Sequence, residues 1–520
     1  MNSAALRKFP RAYRALAQSG LFSPIPLLAL VQLLLCWLRF GGSVYMVAAW
    51  GAWRFPNRTA LVEPGQEVTY RQLVARADRL AGALEQGFSP RTVGILGRNR
   101  IAYVESLLAC ARLGADTVLL NPMSGPQQLQ AFLRSQKLDL LLCDREFRPR
   151  IEAALEPIRR EERPTVVELE GARSLLESKT AKPAGRFRVS PRSGSLILLT
   201  SATTGPAKKV RRKPSLEEAL GLVTGLLENL RPHTGEATLL TVPLLHGHGL
   251  ATLVLSLALG SPLFLFPKAG PDEFLRCVEE RKIKVLVLVP TILYRLLEAA
   301  HPHHDLSSLR AIFCGSAPLD AGLATRALER FGDVLYNLYG SSETGVISLA
   351  TPEDLRRAPA TVGKVLLGVD LRIQGERQSA IPAGEPGHIF IVRGRAAIST
   401  GDVGYLDAEG RLFLLGRADD LLICGGENVF PEAIESRVNQ ALEYVLESAV
   451  MGIPDPEYGQ ALHLFVVLKT GHAGITPEAI ARDLEPLFPR TLRPKKITVL
   501  SELPKNLAGK VLRYKLQDPG

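Results

Sequence analysis

Leu198-Leu199-Thr200-Ser201-Ala202-Thr203-Thr204-Gly205-Pro206-Ala207-Lys208-Lys209 is an apolar run opening into a loop of hydroxyls and lysines. Hydroxyls and backbone N–H groups in such a loop can surround phosphate oxygens, and a lysine adds a point charge. The P-loop spacing GxxxxGK[ST] is absent. Alone, such a stretch reads first as an ordinary loop, so its meaning rests on its companions. These follow in order: Pro243-Leu244-Leu245-His246-Gly247-His248-Gly249, Gly315-Ser316-Ala317-Pro318-Leu319, Tyr339-Gly340-Ser341-Ser342-Glu343-Thr344-Gly345 and Thr400-Gly401-Asp402-Val403-Gly404. Gly416-Arg417-Ala418-Asp419-Asp420, Gly425-Gly426-Glu427-Asn428-Val429 and Asn506-Leu507-Ala508-Gly509-Lys510 complete the series. Singly, each charge has a plain structural reading. Asp402 and Arg417 make an ion pair, Glu343 a charge at a helix N-terminus, and Lys510 a solvated turn lysine.

In this order and at this spacing the series resembles the adenylate-forming superfamily of acyl- and aryl-CoA synthetases, peptide-synthetase adenylation domains and beetle luciferases. The resemblance runs from roughly Arg54 to Leu516. It implies that Thr200, Ser201, Thr203, Thr204, Gly205 and Lys208 hold the ATP phosphates, with Thr200 and Glu343 as oxygen ligands to magnesium. Gly315, Ser316 and Ala317 would line the adenine edge, Tyr339 would cover one face, and Gly340, Ser341 and Ser342 would continue the nucleotide site. Asp402 would accept from the ribose hydroxyls, supported by Arg417. Lys510, with Lys208 and Glu343, would carry catalysis by neutralising charge as the carboxylate attacks the α-phosphate. Asp419 marks the hinge and Gly425-Gly426 the loop on the coenzyme A side.

Departures from the pattern are few. Ala202 and Lys209 stand where the family usually has glycine, Ala207 where it has proline, Ser342 and Asn506 where it has threonine, and Ile423 where many relatives carry lysine. An alanine at position 202 narrows the backbone choices beside the phosphates.

For the acid, the resemblance places His246 with Gly315 and Gly340 at the acyl pocket; a satisfied structural histidine is the alternative. No aspartate near Leu245-His246-Gly247-His248 offers a counter-charge for an α-ammonium. Gly97-Arg98-Asn99 and Leu113-Gly114-Ala115-Asp116 look most like bacterial long-chain fatty-acid CoA ligases. The expectation is a fatty-acid–CoA ligase using ATP, Mg2+ and coenzyme A. The alternatives are a fatty acyl-AMP ligase loading an acyl carrier protein and a catalytically impaired nucleotide-binding relative.

Elements that position these residues follow from periodicity. Thr92 to Leu96, Ile101 to Leu113 and Thr117 to Leu120 read as strand, helix and strand, a βαβ unit. Leu196 to Leu199, a helix opened by Ser215-x-x-Glu218, Val285 to Val289, Leu293 to Leu297 and Ala311 to Cys314 repeat the alternation. After Gly401 the turn Asp407-Ala408-Glu409-Gly410 and the strand Leu412 to Leu415 suggest a meander. Leu462 to Leu468, a helix capped by Thr476, and Ile497 to Leu500 suggest a small α+β unit. The fold class expected is α/β: a large domain of mixed, mostly parallel sheets with helices on both faces plus a β-meander or barrel part, then a small mobile α+β domain. The corresponding spans are 1–50 (apolar helices), 51–416 (core) and 417–520 (lid).

Size and composition agree with this. A chain of 520 residues is too long for one ordinary core, and 46% apolar with 22% charged residues is a globular balance. The net charge of +11 suits anionic partners such as nucleotide or coenzyme A; no aromatic-interleaved basic run points to nucleic acid. Six scattered cysteines without a CxxC pair suggest a reducing compartment and no structural zinc. His301, His303 and His304 read as a solvated loop. Arg7, Lys8, Arg11 and Arg14 precede an apolar run from Leu21 to Leu38 that Pro24 and Pro26 interrupt, too short to span. It reads either as helices resting on a bilayer surface or as helices packed on the protein itself. The expected location is cytoplasmic, with or without a peripheral contact at the inner membrane face; oligomeric state is not legible.

Overall fold

The computed structural model describes residues 26–169, 194–200, 208–211, 233–300, 304–341, 344–375, 379, 381–382, 384–394, 396–424, 427–472, 474–506 and 509–516. The chain divides into two compact units, residues 1–288 with 295–313, and 289–294 with 314–520.

The first unit opens with helices α1 (Pro26–Phe40) and α2 (Val44–Arg54), then the hairpin β1 (Thr59–Glu63) and β2 (Gln66–Thr69). A capping box of Thr69 and Gln72 starts α3 (Tyr70–Gly87). Next come β3 (Thr92–Leu96), α4 (Ile101–Leu113) and β4 (Asp116–Leu119), joined as expected by a parallel pairing of β3 with β4. Gly114, at φ 69°, ends α4 in the left-handed region that glycine tolerates. β5 (Leu140–Cys143), β6 (Thr165–Glu168), β7 (Leu196–Thr200) and β8 (Lys208–Arg211) complete a six-stranded sheet of order β6-β5-β3-β4-β7-β8. Only β7 with β8 is antiparallel in it. Every residue of β5 and nearly all of β3 and β4 are buried, as a sheet covered on both faces requires. β9 (Thr238–Leu240), α5 (Gly247–Leu259), β10 (Leu263–Leu265) and β11 (Val285–Leu288) follow. β9, β10 and β11 pair in parallel, and β10 continues onto β1. The helix expected from Ser215 lies outside the described residues.

β12 (Ala311–Gly315) has its first three residues in the first unit and its last two in the second. The second unit contains β13 (Leu335–Ser341), β14 (Gly345–Ala350), β15 (Gly363–Val365), β16 (Asp370–Gln374), β17 (Gly387–Arg393), β18 (Ala396–Leu406) and β19 (Arg411–Arg417). These form an antiparallel run of order β16-β17-β18-β19-β15-β14-β13. The expected meander is its β17-β18-β19 part. Beyond it lie β20 (Leu422–Cys424), β21 (Glu427–Val429), α6 (Pro431–Ala441), β22 (Val445–Asp455), β23 (Gly459–Leu468), α7 (Pro477–Leu484) and β24 (Lys496–Leu500). Ile434 and Val438 of α6 and Ile480 and Leu484 of α7 share one core with Leu462, Leu464 and Val466 of β23. That is an α+β arrangement. The Thr476 hydroxyl caps α7 by accepting from the Ala479 N–H.

Candidate active site

Two hairpins of the second unit bring together residues far apart in sequence. In β18 and β19 the pairing runs Leu406 with Leu412, Tyr405 with Phe413 and Gly404 with Leu414, then shifts by one residue so that Val403 meets Gly416 and Asp402 meets Arg417. Without that bulge Asp402 would face Gly416, and Arg417 would point to the opposite side of the sheet. The Arg417 guanidinium donates to Asp402 Oδ1 at 3.2 Å and to the Thr400 carbonyl at 2.8 Å. Gly401, at φ 76°, makes room for it, since a Cβ there would lie 2.6 Å from Arg417 Nη2. Thr400 Oγ1 accepts from the Asp402 N–H at 3.1 Å and fixes the backbone beneath the carboxylate.

The second hairpin, β13 with β14, supplies Tyr339. Its hydroxyl donates to Asp402 Oδ2 at 2.6 Å. Burial, and then the Asp402 charge, push the phenol well above its ordinary range, so it remains a donor. The turn after Tyr339 is held by the Thr344 N–H donating to Ser341 Oγ at 3.0 Å and by the two hydroxyls 2.8 Å apart. Gly340 is required by space: a Cβ would stand 2.1 Å from the Gly345 carbonyl oxygen. Arg393 Nη2 donates to the Thr344 carbonyl at 2.7 Å, a tether no motif pointed to.

Asp402 thus has one oxygen fixed by a phenol and the other by a guanidinium. An ionised carboxylate accepts about four hydrogen bonds, and this side chain is 16% exposed. Acceptor positions therefore remain for a vicinal diol, which suits a ribose. At the end of β12, Gly315 is buried, Ser316 exposed and Ala317 half-buried. Ser316 adopts φ 71°, an uncommon conformation for a side-chain-bearing residue.

Lys510 follows a tight loop. The Asn506 N–H donates to the Lys510 carbonyl and the Lys510 N–H to Asn506 Oδ1, both at 2.9 Å. The asparagine replacing the usual threonine thus closes the turn itself. Gly509, at φ 77°, lies against Thr291, whose Oγ1 a Cβ would meet at 2.6 Å. Lys510 is half-buried, and its charge is felt at the Glu432 carboxyl. Asp419 sits in the single 3₁₀ turn Ala418–Asp420 that directly follows β19.

His246 and the phosphate-loop flanks belong to the first unit. His246 precedes α5, and its Nε2 is buried without a hydrogen-bond partner. Burial pushes His246 and His248 each down to about 4, so both imidazoles are neutral near pH 7. Asn99 clamps the approach to them. Its Nδ2 donates to the Val242 carbonyl and its Oδ1 accepts from the Leu244 N–H, each at 2.8 Å. The sequence drew attention to Asn99, though not to this job. Thr200 pairs with Lys208 across β7 and β8, the two ends of the hydroxyl-rich loop. Their side chains lie outside the description, as do Ser201, Thr203, Thr204, Gly205, Ser342, Glu343, Gly425 and Gly426. Among the described residues no cluster of three or more His, Cys, Asp or Glu is arranged to hold a metal, and the cysteines described are free thiols.

Known proteins are similar to this chain along most of its length. The chain is 29% identical to 2-succinylbenzoate–CoA ligase of Oceanobacillus iheyensis over 89% of its length and 96% of that protein. It is 30% identical to indoleacetate–CoA ligase of Aromatoleum aromaticum over 88% and 94%. Among solved structures, anthranilate CoA ligase AuaEII in complex with anthranoyl-AMP superposes with a TM-score of 0.79 at 26% identity, covering 91% of this chain and 96% of that one. The model of the AMP-binding enzyme family matches residues 48–400, that of the AMP-binding enzyme C-terminal domain matches 433–510, and the chain belongs to the AMP-binding enzyme family.

Proposed function

We propose that the protein is an AMP-forming acid–CoA ligase, and the observation carrying this reading is Asp402 held between Tyr339 and Arg417. In the first half-reaction a carboxylate oxygen of the acid bonds to the α-phosphorus of ATP, and pyrophosphate leaves. In the second, the thiol of coenzyme A attacks the acyl carbon, its proton is released, and AMP leaves. Asp402 holds the ribose and so fixes the α-phosphorus in line; with the nucleophile already anionic, positioning and charge neutralisation suffice. Lys510 neutralises charge between carboxylate and α-phosphate, and Lys208 with Ser201, Thr203, Thr204 and Gly205 receives the leaving phosphates. Thr200 and Glu343 would hold magnesium, which when bound would compensate the negative charge of the phosphates. The adenine lies between Tyr339 and the Gly315–Ala317 edge.

The two half-reactions need different groups over the α-phosphate. Residues 417–520 therefore act as a lid on the 51–416 core, pivoting at Asp419 to withdraw Lys510 and bring Gly425-Gly426 toward the thiol. The reaction consumes ATP, so the cytoplasm is its place.

The acid is an aryl or arylalkanoic carboxylate. The names of the similar proteins support this, since they specify succinylbenzoate, indoleacetate and anthranilate. A neutral His246 with an unpartnered Nε2 suits an apolar pocket and offers one hydrogen bond to a polar group on the ring. The fatty acid expected from the sequence is the second reading, favoured by the exposed apolar face of α1. The experiment is a panel of aryl, arylalkanoic and alkanoic acids with ATP, magnesium and coenzyme A, with thioester detected by mass. Aryl thioesters are expected to dominate, and a dominance of long alkanoyl thioesters restores the fatty acid. An acyl-adenylate that forms without passing to coenzyme A indicates a carrier protein as acceptor. No pyrophosphate with any acid indicates a nucleotide-binding relative impaired by Ala202 and Lys209.

A further inference from the structure

α1 has two unlike faces. On the inner one Ala29 is buried, and its carbonyl accepts the indole N–H of buried Trp50 at 3.1 Å. Tyr45 of α2 is buried and donates to Asp78 of α3 at 2.7 Å, so the pair α1–α2 is fixed to the first unit. On the outer face Leu27, Val31, Leu34 and Leu38 form a continuous ridge at helical spacing, flanked by Trp37 and by Trp53 of α2. These six are between 45% and 74% exposed. Scattered exposed apolar residues need no explanation, but a contiguous ridge of this kind marks an interaction site.

Length and charge decide what covers it. Fifteen residues of helix extend about 22 Å at ~1.5 Å per residue, against a hydrocarbon thickness of ~30 Å. Among the described residues no helix is long and apolar enough to cross a membrane. The first 62 residues of the chain contain seven Lys and Arg and no Asp or Glu. A second copy of the chain would set two such acid-free segments against each other. A bilayer with anionic headgroups offers apolar depth for the leucine ridge and negative charge for the basic residues together. Two tryptophans beside the ridge suit the headgroup level. α1 also precedes residue 48, where the family match begins, so this face is not part of the matched enzyme core.

We propose that the outer face of α1 is the surface by which this protein docks on an anionic lipid bilayer, the helix lying in the interface plane. The inference stands apart from the reaction proposed above, and its test reads binding alone. A deletion to residue 50 would remove the buried Tyr45, Ala48 and Trp50, so point substitutions in the full chain are the sound perturbation. The probes are vesicles of phosphatidylcholine alone and vesicles with an equal part of phosphatidylglycerol, read by flotation and by tryptophan emission at low and high salt. The wild type is expected to bind the anionic vesicles at least about tenfold more tightly, since each basic residue near the surface contributes about fivefold. Its emission should shift to the blue, because Trp37 and Trp53 leave water. Leu34→Glu with Leu38→Glu should weaken vesicle binding by roughly tenfold or more with Tm unchanged, both side chains being exposed already. Leu27→Asp, whose charge is favourable in the first turn of a helix, gives a second variant with the same expected loss. The proposal is overturned if the wild type does not float with anionic vesicles, or if both variants float as well as it does. It is equally overturned if the variants abolish a concentration-dependent dimer and leave vesicle binding untouched.

Discussion

Replacing Tyr339 with phenylalanine removes one oxygen and leaves the ring where it is, which separates two jobs the residue can have. The hydroxyl lies 2.6 Å from Asp402 Oδ2, within the range of charge-assisted O–H···O⁻ bonds. Such a bond is worth about 1.5–3 kcal/mol; at about 1.4 kcal/mol per tenfold, that is roughly 10- to 150-fold if nothing replaces it. Arg417 still holds the other oxygen, and water reaches a carboxylate that is 16% exposed. The low end applies: a rise of about tenfold in KM for ATP. Because the proposed ribose contact would be the same in ground and transition states, kcat should stay within about twofold. The assay is acid-dependent pyrophosphate exchange at varied ATP for Tyr339→Phe, Asp402→Asn and the double variant. The double variant should be no worse than Asp402→Asn, because the phenol acts through the carboxylate. An unchanged KM in Tyr339→Phe would mean that only the ring matters. Fully additive losses would mean that Tyr339 and Asp402 work apart.

Lys510→Ala should lower the adenylation rate by about 10²–10³ while Tm and nucleotide binding persist; near-normal pyrophosphate exchange in this variant would remove Lys510 from the chemistry. Gly340→Ala forces a Cβ to within 2.1 Å of a backbone oxygen, so Tm should fall by the equivalent of about 1–3 kcal/mol and KM for ATP should rise as Tyr339 is displaced. An unchanged melting curve would show that the hairpin adjusts freely. Burial pushes the Glu435 carboxyl up to about 7, with Glu432 adding to the shift and Arg513 opposing it. A carboxyl raised in the folded state contributes stability at low pH that is lost as pH rises from its ordinary value of 4.5 toward about 7. Wild-type Tm minus that of Glu435→Gln should therefore decline across this window; a flat difference would show that Arg513 keeps the carboxylate ionised throughout.

Local elements were the most legible part of the molecule. β3, α4 and β4 were readable because their apolar runs are bounded by Gly114, and α7 because Thr476 and Pro477 mark its start. The two charges of the proposed ribose site, Asp402 and Arg417, were readable only as members of motifs. Their meeting depends on one bulge in β18 and β19, and a regular register counted back from the Asp407–Gly410 turn would have put Arg417 on the wrong face. The Tyr339–Asp402 bond joins residues 63 apart through strands that are not sequence neighbours, which no local pattern encodes. The Asn99 clamp on the His246 segment spans more than 140 residues and was equally hidden. The acid was read as fatty because Gly97-Arg98-Asn99 and Leu113-Gly114-Ala115-Asp116 look like long-chain ligases, while the similar proteins specify aryl acids.

The central claim is that a carboxylate is adenylated before any thiol enters. Exchange of labelled pyrophosphate into ATP, measured with an aryl acid in the absence of coenzyme A, tests it most directly. Acid-dependent exchange is expected without coenzyme A, with AMP and a thioester appearing once it is added. Absence of exchange with every acid, or release of ADP and phosphate in place of AMP and pyrophosphate, would contradict it.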